Sequence, residues 1–561
     1  MKTITALLIF FLSFVWSDVA AQNSKYIVLL KNKNGNPYSL LYPEQYLSPK
    51  SVERRKRQQI LIDSTDLPVN PGYLDSIRQS GAVHILNISK WLNQVLIQTS
   101  DPVALQKINT FTFVQSVSAI APRKANPKTD KKDLLRLTTT PAKRNQKVQG
   151  VNDYYQYGSM LAQISIHEGE YLHNKGFHGE GMTIAILDAG FYHYDTNPAF
   201  DSVRLNNQVL GTWDFAANKS SVTEEHDHGM YCFSTIASNR PGMLVGTAPK
   251  AKFYLFRTED VGSEYPIEEQ NWVAAAERAD SVGADLITSS LGYNTFSQPT
   301  FDHTYADMNG HNTIITRGAE WAAKKGIFIT NSAGNSGTDS WHYIIAPADG
   351  EHVLAIGAVD AQKQVAPFSS YGPSYDGRIK PNVASVGWGT VIADINGNPA
   401  SASGTSLANP NLAGLVTCLW QAFPEFTNAD IFEAVQKSAD QYNNPNDRVG
   451  YGIPNMRIAY EILEKKRELQ NADRILGDDW IKAYPVPFGD RFTLLLKPRN
   501  DGKATLAMYN AAGRKMLIKN ADVNAGIVQF VSFNSLSSMP AGVYWLRYTD
   551  GKNNRIIRLV K

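Results

Sequence analysis

Near-continuous apolar runs punctuate the middle of this chain. They are "MTIAILDAG" (182–190), "AKFYLFRT" (251–258), "ADLITSSLG" (284–292), "GIFITNSAGN" (326–335) and "HVLAIGAVD" (352–360). Strands that read this way are buried on both faces, as in a parallel sheet. Helical stretches such as "EEQNWVAAAERADSVG" (268–283) lie between them. The pattern predicts an α/β domain over residues 156–466, with a mostly parallel sheet and helices on both faces.

The flanks read differently. Residues 22–122 predict a small α+β domain, with strands in "YIVLL" (26–30), "VLIQT" (95–99) and "FTFVQSVSAI" (111–120). Helices are expected in "NPGYLDSIRQSG" (70–81) and "DPVALQKIN" (101–109), each opened by a polar cap and an early proline. "RRKRQQ" (54–59), after the Ser48-Pro49 start, reads as a solvated helix face. Residues 123–155 are polar and basic, the composition of an exposed linker. Charged "EKKRELQNADR" (464–474) closes the central domain, and short strands with turn signals over 476–561 predict a small β-sandwich.

Residues 1–21 combine Lys2, an apolar run to Trp16 and small residues around Ala21. That is the pattern of a signal peptide cleaved between Ala21 and Gln22. The run is shorter than the roughly 20 residues a membrane span needs. The expectation is an exported mature chain without a transmembrane segment, secreted or attached at the cell surface.

Bulk properties narrow the partners. A length of 561 residues predicts several domains, and a formal charge of +3 gives no argument for nucleic acid. Two cysteines, Cys232 and Cys418, exclude a disulfide scaffold. They are expected to be free, buried and too far apart to bridge.

Candidate chemistry centres on "SASGTSLANP" (401–410), where a loop of small residues turns into a buried helix. Ser406 there reads either as a helix cap or as a nucleophile with backbone N–H groups beside it. Asp188 ends the strand "TIAIL", where catalytic groups of an open parallel sheet gather. His228 opens a helix-like stretch in "HDHGMYCFSTIAS" (226–238), with His226 as a competitor. Asn335, in the Gly-flanked turn of "NSAGNSG" (331–337), reads as a turn residue or as an amide aimed at an oxyanion. In "FDHTYADMNGHNT" (301–313), Asp302, Asp307 and Asn309 have the spacing of Ca²⁺ ligands or of a polar surface insert. No cofactor is needed for the chemistry, and a structural Ca²⁺ is the one metal the sequence suggests.

Taken together these pieces resemble the subtilisin-like serine proteases, the subtilases. "LDAGF", "DHGMYCFSTIA", "VGTAPKAKFY", "ADLITSSLG", "NSAGNSG", "FSSYGP", "DGRIKPNVAS" and "GTSLANP" follow the family's order over roughly 160–460. The resemblance implies a serine endopeptidase with Asp188, His228 and Ser406 as the triad. Asn335 and the Ser406 N–H would form the oxyanion hole. Ser290, Leu291 and Gly292 would pair with an extended substrate, and Ser332, Ala333 and Gly334 would form the facing wall. Residues 22–122 are similar to a subtilase propeptide, a chaperone and inhibitor of its own enzyme. The tail, with "YPVPF" (484–488), resembles the sorting domain of type IX secretion substrates. Implied partners are protein or peptide substrates, the chain's own propeptide and the type IX machinery. The chain departs from the family at Ala189, usually Thr or Ser, at Met230-Tyr231, usually Thr-His, and at Leu407, commonly Met. The alternative is a catalytically inactive subtilase scaffold serving as a surface binding or adhesion protein.

Overall fold

The computed structural model describes residues 23–122, 139–141, 150, 152–224 and 226–561. The expected signal peptide and most of the expected linker lie outside the described residues.

The N-terminal region is a four-stranded antiparallel sheet with helices. β1 (Asn23–Leu30), α1 (Pro49–Arg57), α2 (Pro71–Arg78), β2 (His84–Ser89), β3 (Gln94–Gln98), α3 (Pro102–Thr110) and β4 (Val114–Pro122) follow in order. The strands pair as β2-β3-β1-β4. Each helix starts on a proline behind a capping side chain: Ser48, Asn70 and Asp101 accept N–H groups of the first turn. Proline is well placed there, because its missing N–H would have no partner in the helix. Val28, Ile77, Val95, Ile97 and Ile108 form the core of this region. Ile27, Leu96 and Ile120 cluster instead with Ile267 and Ile314 of the central region. β2 carries no clear alternation, since its first five positions are exposed or half-buried, and the sequence pattern does not announce it.

α1 corrects the expectation of a solvated face. Arg54 and Arg55 are each 1% exposed. Arg54 reaches Asp280, 226 residues further along the chain, and Arg55 bridges Asp66 and Asp280.

In the central region the apolar runs become parallel strands. They and their helices are β5 (Thr183–Asp188), β6 (Val209–Asp214), α4 (His228–Ala237), β7 (Lys252–Arg257), α5 (Ile267–Val282), β8 (Leu286–Ser289), α6 (Ile314–Lys324), β9 (Phe328–Ser332), β10 (Val353–Val359), β11 (Val383–Val386) and α7 (Thr405–Ala422). The seven strands lie in the order β11-β10-β9-β8-β5-β7-β6, every pair parallel. Ala185 and Leu187 of β5 and Ile287 of β8 pack with Trp272 and Ala276 of α5 and Ala319 of α6. α4 packs on β5 and on α7, and α7 crosses β8 to β11. Gly283 stops α5 with φ 87°, the left-handed cap that glycine adopts without a Cβ penalty. The chain steps outward from β5 in both directions, so the gap beyond β5 and β8 is a topological switch point, where open α/β sheets place their ligands.

The contacts divide the chain into two compact units, after Tyr460. The second contains β12 (Ile481–Tyr484), β13 (Phe492–Leu496), β14 (Gly502–Asn510), β15 (Lys515–Val523), β16 (Gln529–Phe533), β17 (Val543–Thr549) and β18 (Asn554–Val560). Two antiparallel sheets, β12-β13-β16 and β15-β14-β17-β18, share a core of Leu494, Leu506, Met508 and Leu546.

Candidate active site

Asp188 is the last residue of β5 and is fully buried. Its Oδ1 accepts the Ala189 N–H at 2.7 Å and lies 2.6 Å from Nδ1 of His228, the first residue of α4. Ala189 brings no hydroxyl, and among the described residues Oδ2 of Asp188 has no hydrogen-bond partner. His226 does not compete for the carboxylate: its Nδ1 accepts the backbone N–H of His228 at 3.1 Å. Gly229 lets the two elements meet. A Cβ there would fall 2.5 Å from the Gly190 carbonyl oxygen and 2.9 Å from Cβ of Asp188.

Ser406 sits in the first turn of α7, behind Gly404. Pro410 lies four residues further in the same helix and has no N–H to give the Ser406 carbonyl. Two other elements fill that acceptor: the Ser290 hydroxyl donates to it at 2.8 Å and the Cys232 thiol at 3.2 Å. Burial, and then the charge of Asp188, push the Cys232 thiol above its ordinary 9.0, so it stays protonated and can donate. Asn409 ties α7 to the same strand end, donating to Ser289 O at 2.8 Å and to Thr288 Oγ1 at 3.0 Å. The Ser406 hydroxyl donates to Ser290 O at 3.4 Å. Among the described residues it makes no hydrogen bond to His228, although both side chains line the same cleft.

Asn335 is oriented by its neighbour. Its Oδ1 accepts both the N–H and the hydroxyl of Thr405, each at 2.9 Å. The amide N–H₂ is thereby left for the cleft. Ser290, Leu291, Gly292, Ser332, Gly334 and Asn335 line a cleft of about 180 Å³ together with His228 and Ser406. Ala333 does not join them: it packs with Ile344, Ala348 and Ala355. Glu259 and Glu264 also line the cleft and give one wall carboxylates that sequence reasoning missed. The available signal was position, since Glu259 stands two residues past the carboxyl end of β7.

His228 is 2% exposed. Burial alone would lower its pKa, but the charge of Asp188 and its hydrogen bond outweigh that and raise it well above 6.5. The cysteines are free and buried, as expected.

The residues suggested as cation ligands accept hydrogen bonds from their neighbours. Asp302 accepts the Phe296 N–H, Asp307 accepts from Thr304 and Asn312, and Asn309 accepts from His311 and Asn312. Among the described residues, the groups of His, Cys, Asp and Glu close enough to share a cation are Asp188/His228/Cys232 and Glu259/Glu264/Glu268. Neither includes the 301–313 loop.

Comparison with known proteins gives three family matches along the chain. Residues 25–134 match the Peptidase S8 propeptide domain of Bacteroidota, residues 179–452 the Subtilase family, and residues 482–561 the Secretion system C-terminal sorting domain. The chain is 26% identical over 303 residues to Serine protease AprX of Bacillus subtilis, covering 49% of this chain and 64% of that protein. It is 29% identical over 303 residues to the Thermophilic serine proteinase of Bacillus sp. strain AK1, covering 53% of this chain and 65% of that one. It thus spans just under two thirds of the length of these relatives. The crystal structure of MycP1 from Mycobacterium smegmatis aligns over 58% of this chain and 88% of its own at 19% identity, with a TM-score of 0.44.

Proposed function

This chain carries a subtilase family domain between an S8 propeptide domain and a secretion system C-terminal sorting domain, and from that premise we propose an exported serine endopeptidase made as a proenzyme. The sorting domain marks it for secretion or the cell surface. An extended peptide pairs with the backbone of Ser290 to Gly292, a mode that asks little of side chains. Ser406 Oγ attacks the scissile carbonyl carbon while Nε2 of His228 takes its proton. Asp188 fixes the imidazole tautomer through Nδ1 and stabilises the imidazolium. The oxyanion is held by the Asn335 amide and the Ser406 N–H. Collapse expels the amine, which receives the His228 proton, and water then hydrolyses the acyl-enzyme by the same steps.

One observation carries this reading: buried Asp188 lies 2.6 Å from His228, which lines a cleft together with Ser406 and Asn335. A fluorophosphonate probe tests it. The matured chain should be labelled on Ser406, and Ser406→Ala should abolish the label. A folded, matured chain that takes no label would instead support the inactive binding scaffold.

A further inference from the structure

The N-terminal region touches the central region at both edges of the parallel sheet. At the carboxyl edge, Ala121 of β4 shares a cavity with Arg257, the last residue of β7. At the amino edge, Lys50 of α1 donates to Thr183, the first residue of β5, at 2.6 Å and to Asp285 at 2.7 Å. The six residues of β5 separate these edges by roughly 17 Å. A segment that only blocked a cleft at the carboxyl edge would need no such second hold.

The second hold is built around one guanidinium. Arg54 donates through Nε to Lys325 O at 3.2 Å, through Nη1 to Ala284 O, and through Nη2 to Asp280 Oδ1 and to Asp280 O at 3.4 Å. α5 ends at Val282 and α6 at Lys324, so these acceptors lie in or just past the last turns of two helices. Such ends expose carbonyls without helical partners and carry the negative pole of the helix dipole. Asp280, fully buried, adds a carboxylate beneath them. Several acceptors in a fixed fork suit arginine, whereas an ammonium could not meet them together. Around this core, Arg55 pairs with Asp280 at 2.8 Å and with Asp66 at 2.7 Å, and Lys325 pairs with Asp66 at 2.9 Å. When the N-terminal region leaves, Arg54, Arg55 and Asp66 go with it, while Asp280, Ala284 and Lys325 stay.

We propose that Asp280 and the carbonyls of Ala284 and Lys325 form a guanidinium-binding exosite on the amino edge of the protease domain. It retains the N-terminal region, through Arg54, after the connection between the two has been cut. Release from this socket, and not the cut itself, then sets when the N-terminal region leaves the protease domain. The inference rests on the proenzyme reading above only in assuming that such a cut occurs.

The test therefore supplies the cut. A recognition sequence for a site-specific protease replaces residues 142–149 of the full chain, the folded chain is cut, and the dissociation constant of the N-terminal fragment is measured. The fragment should stay bound. Arg54→Met should weaken it about 100-fold, the low end for breaking a buried ion pair, because Arg55 and Lys90 still face Asp280. Arg54→Lys should lie between the two, and Asp280→Asn should reproduce the loss from the other side. In the unsubstituted chain, N-acetyl-arginine amide should hasten release and the lysine amide should not, which keeps the test open if a variant misfolds. A dissociation constant for Arg54→Met within threefold of the parent would overturn the exosite. Full recovery with Arg54→Lys, or equal competition by both amides, would overturn its selectivity for a guanidinium. None of these readings depends on Ser406 being active.

Discussion

Gly229→Ala places one methyl group where α4 meets β5. The new Cβ would stand 2.5 Å from the Gly190 carbonyl oxygen, about 0.9 Å inside an ordinary 3.4 Å contact, and 2.9 Å from Cβ of Asp188. The nearer neighbour is backbone and cannot swing aside. Alanine favours a helix over glycine by about 1 kcal/mol, while overpacking costs about 1–3 kcal/mol. Stability should therefore fall by up to about 2 kcal/mol. The clash is relieved if α4 backs away by close to 1 Å, which stretches the 2.6 Å contact between His228 and Asp188. A misplacement of that size costs about 10²-fold in rate. The assay is kcat/KM on a peptide substrate beside a thermal melt. Activity within threefold of the parent together with a raised Tm would refute the reasoning, because the helix start would then have room the geometry denies it.

Asn335→Ala should lower kcat by about 10²–10³ with little change in KM, the loss known for the oxyanion-hole amide of subtilisin itself. A drop in ground-state peptide binding of the same size would count against that role. The pH–rate profile follows from His228, which must be neutral to act as a base. With its pKa held well above 6.5, kcat/KM should climb on the alkaline side of that value, and a profile already flat at pH 6 would sink the assignment. The stability term runs the other way. A raised folded pKa stabilises the protein fully below the unfolded value, and the contribution is lost as pH rises through the folded one. The Tm difference between the parent and His228→Ala should accordingly shrink from pH 6 upward.

The strands that carry the site were legible because each is an unbroken apolar run, and their carboxyl ends placed Asp188, Ser290 and Ser332. β6 and β11 were not. β6, "VLGTWD", is an edge strand with mostly half-buried positions, and β11, "VASV", follows the polar, proline-bearing "DGRIKPN", so no long apolar run announces it. Motif order brought Asp188, His228 and Ser406 into one hypothesis, and the geometry sets the first two in contact. Motif order also favoured His228 over its neighbour His226, and it is Nδ1 of His228 that lies against Asp188 while Nδ1 of His226 accepts a backbone N–H. Ala333 was read as a wall residue because the strand end it follows lines the cleft, but its own side chain turns into the core. The basic run at 54–57 misled for a plainer reason. One counter-charge, Asp66, stands only 11 residues on, but the other, Asp280, and the carbonyls that Arg54 meets belong to segments more than 200 residues away, and nothing local records them.

Pro410 has a consequence for the order in which the site around Ser406 is completed. A helix normally fixes its own first carbonyls, so a serine at its start would be set as soon as the helix formed. Here the Ser406 carbonyl is fixed by Ser290 and Cys232, from two segments laid down well before it in the chain. The backbone of Ser406, the proposed nucleophile, is therefore complete only when the end of β8, α4 and α7 have all docked. A newly made chain with α7 formed and the rest unfinished holds a loose serine, and under the proposed function the coincidence of three remote segments would act as an interlock on proteolysis before folding ends.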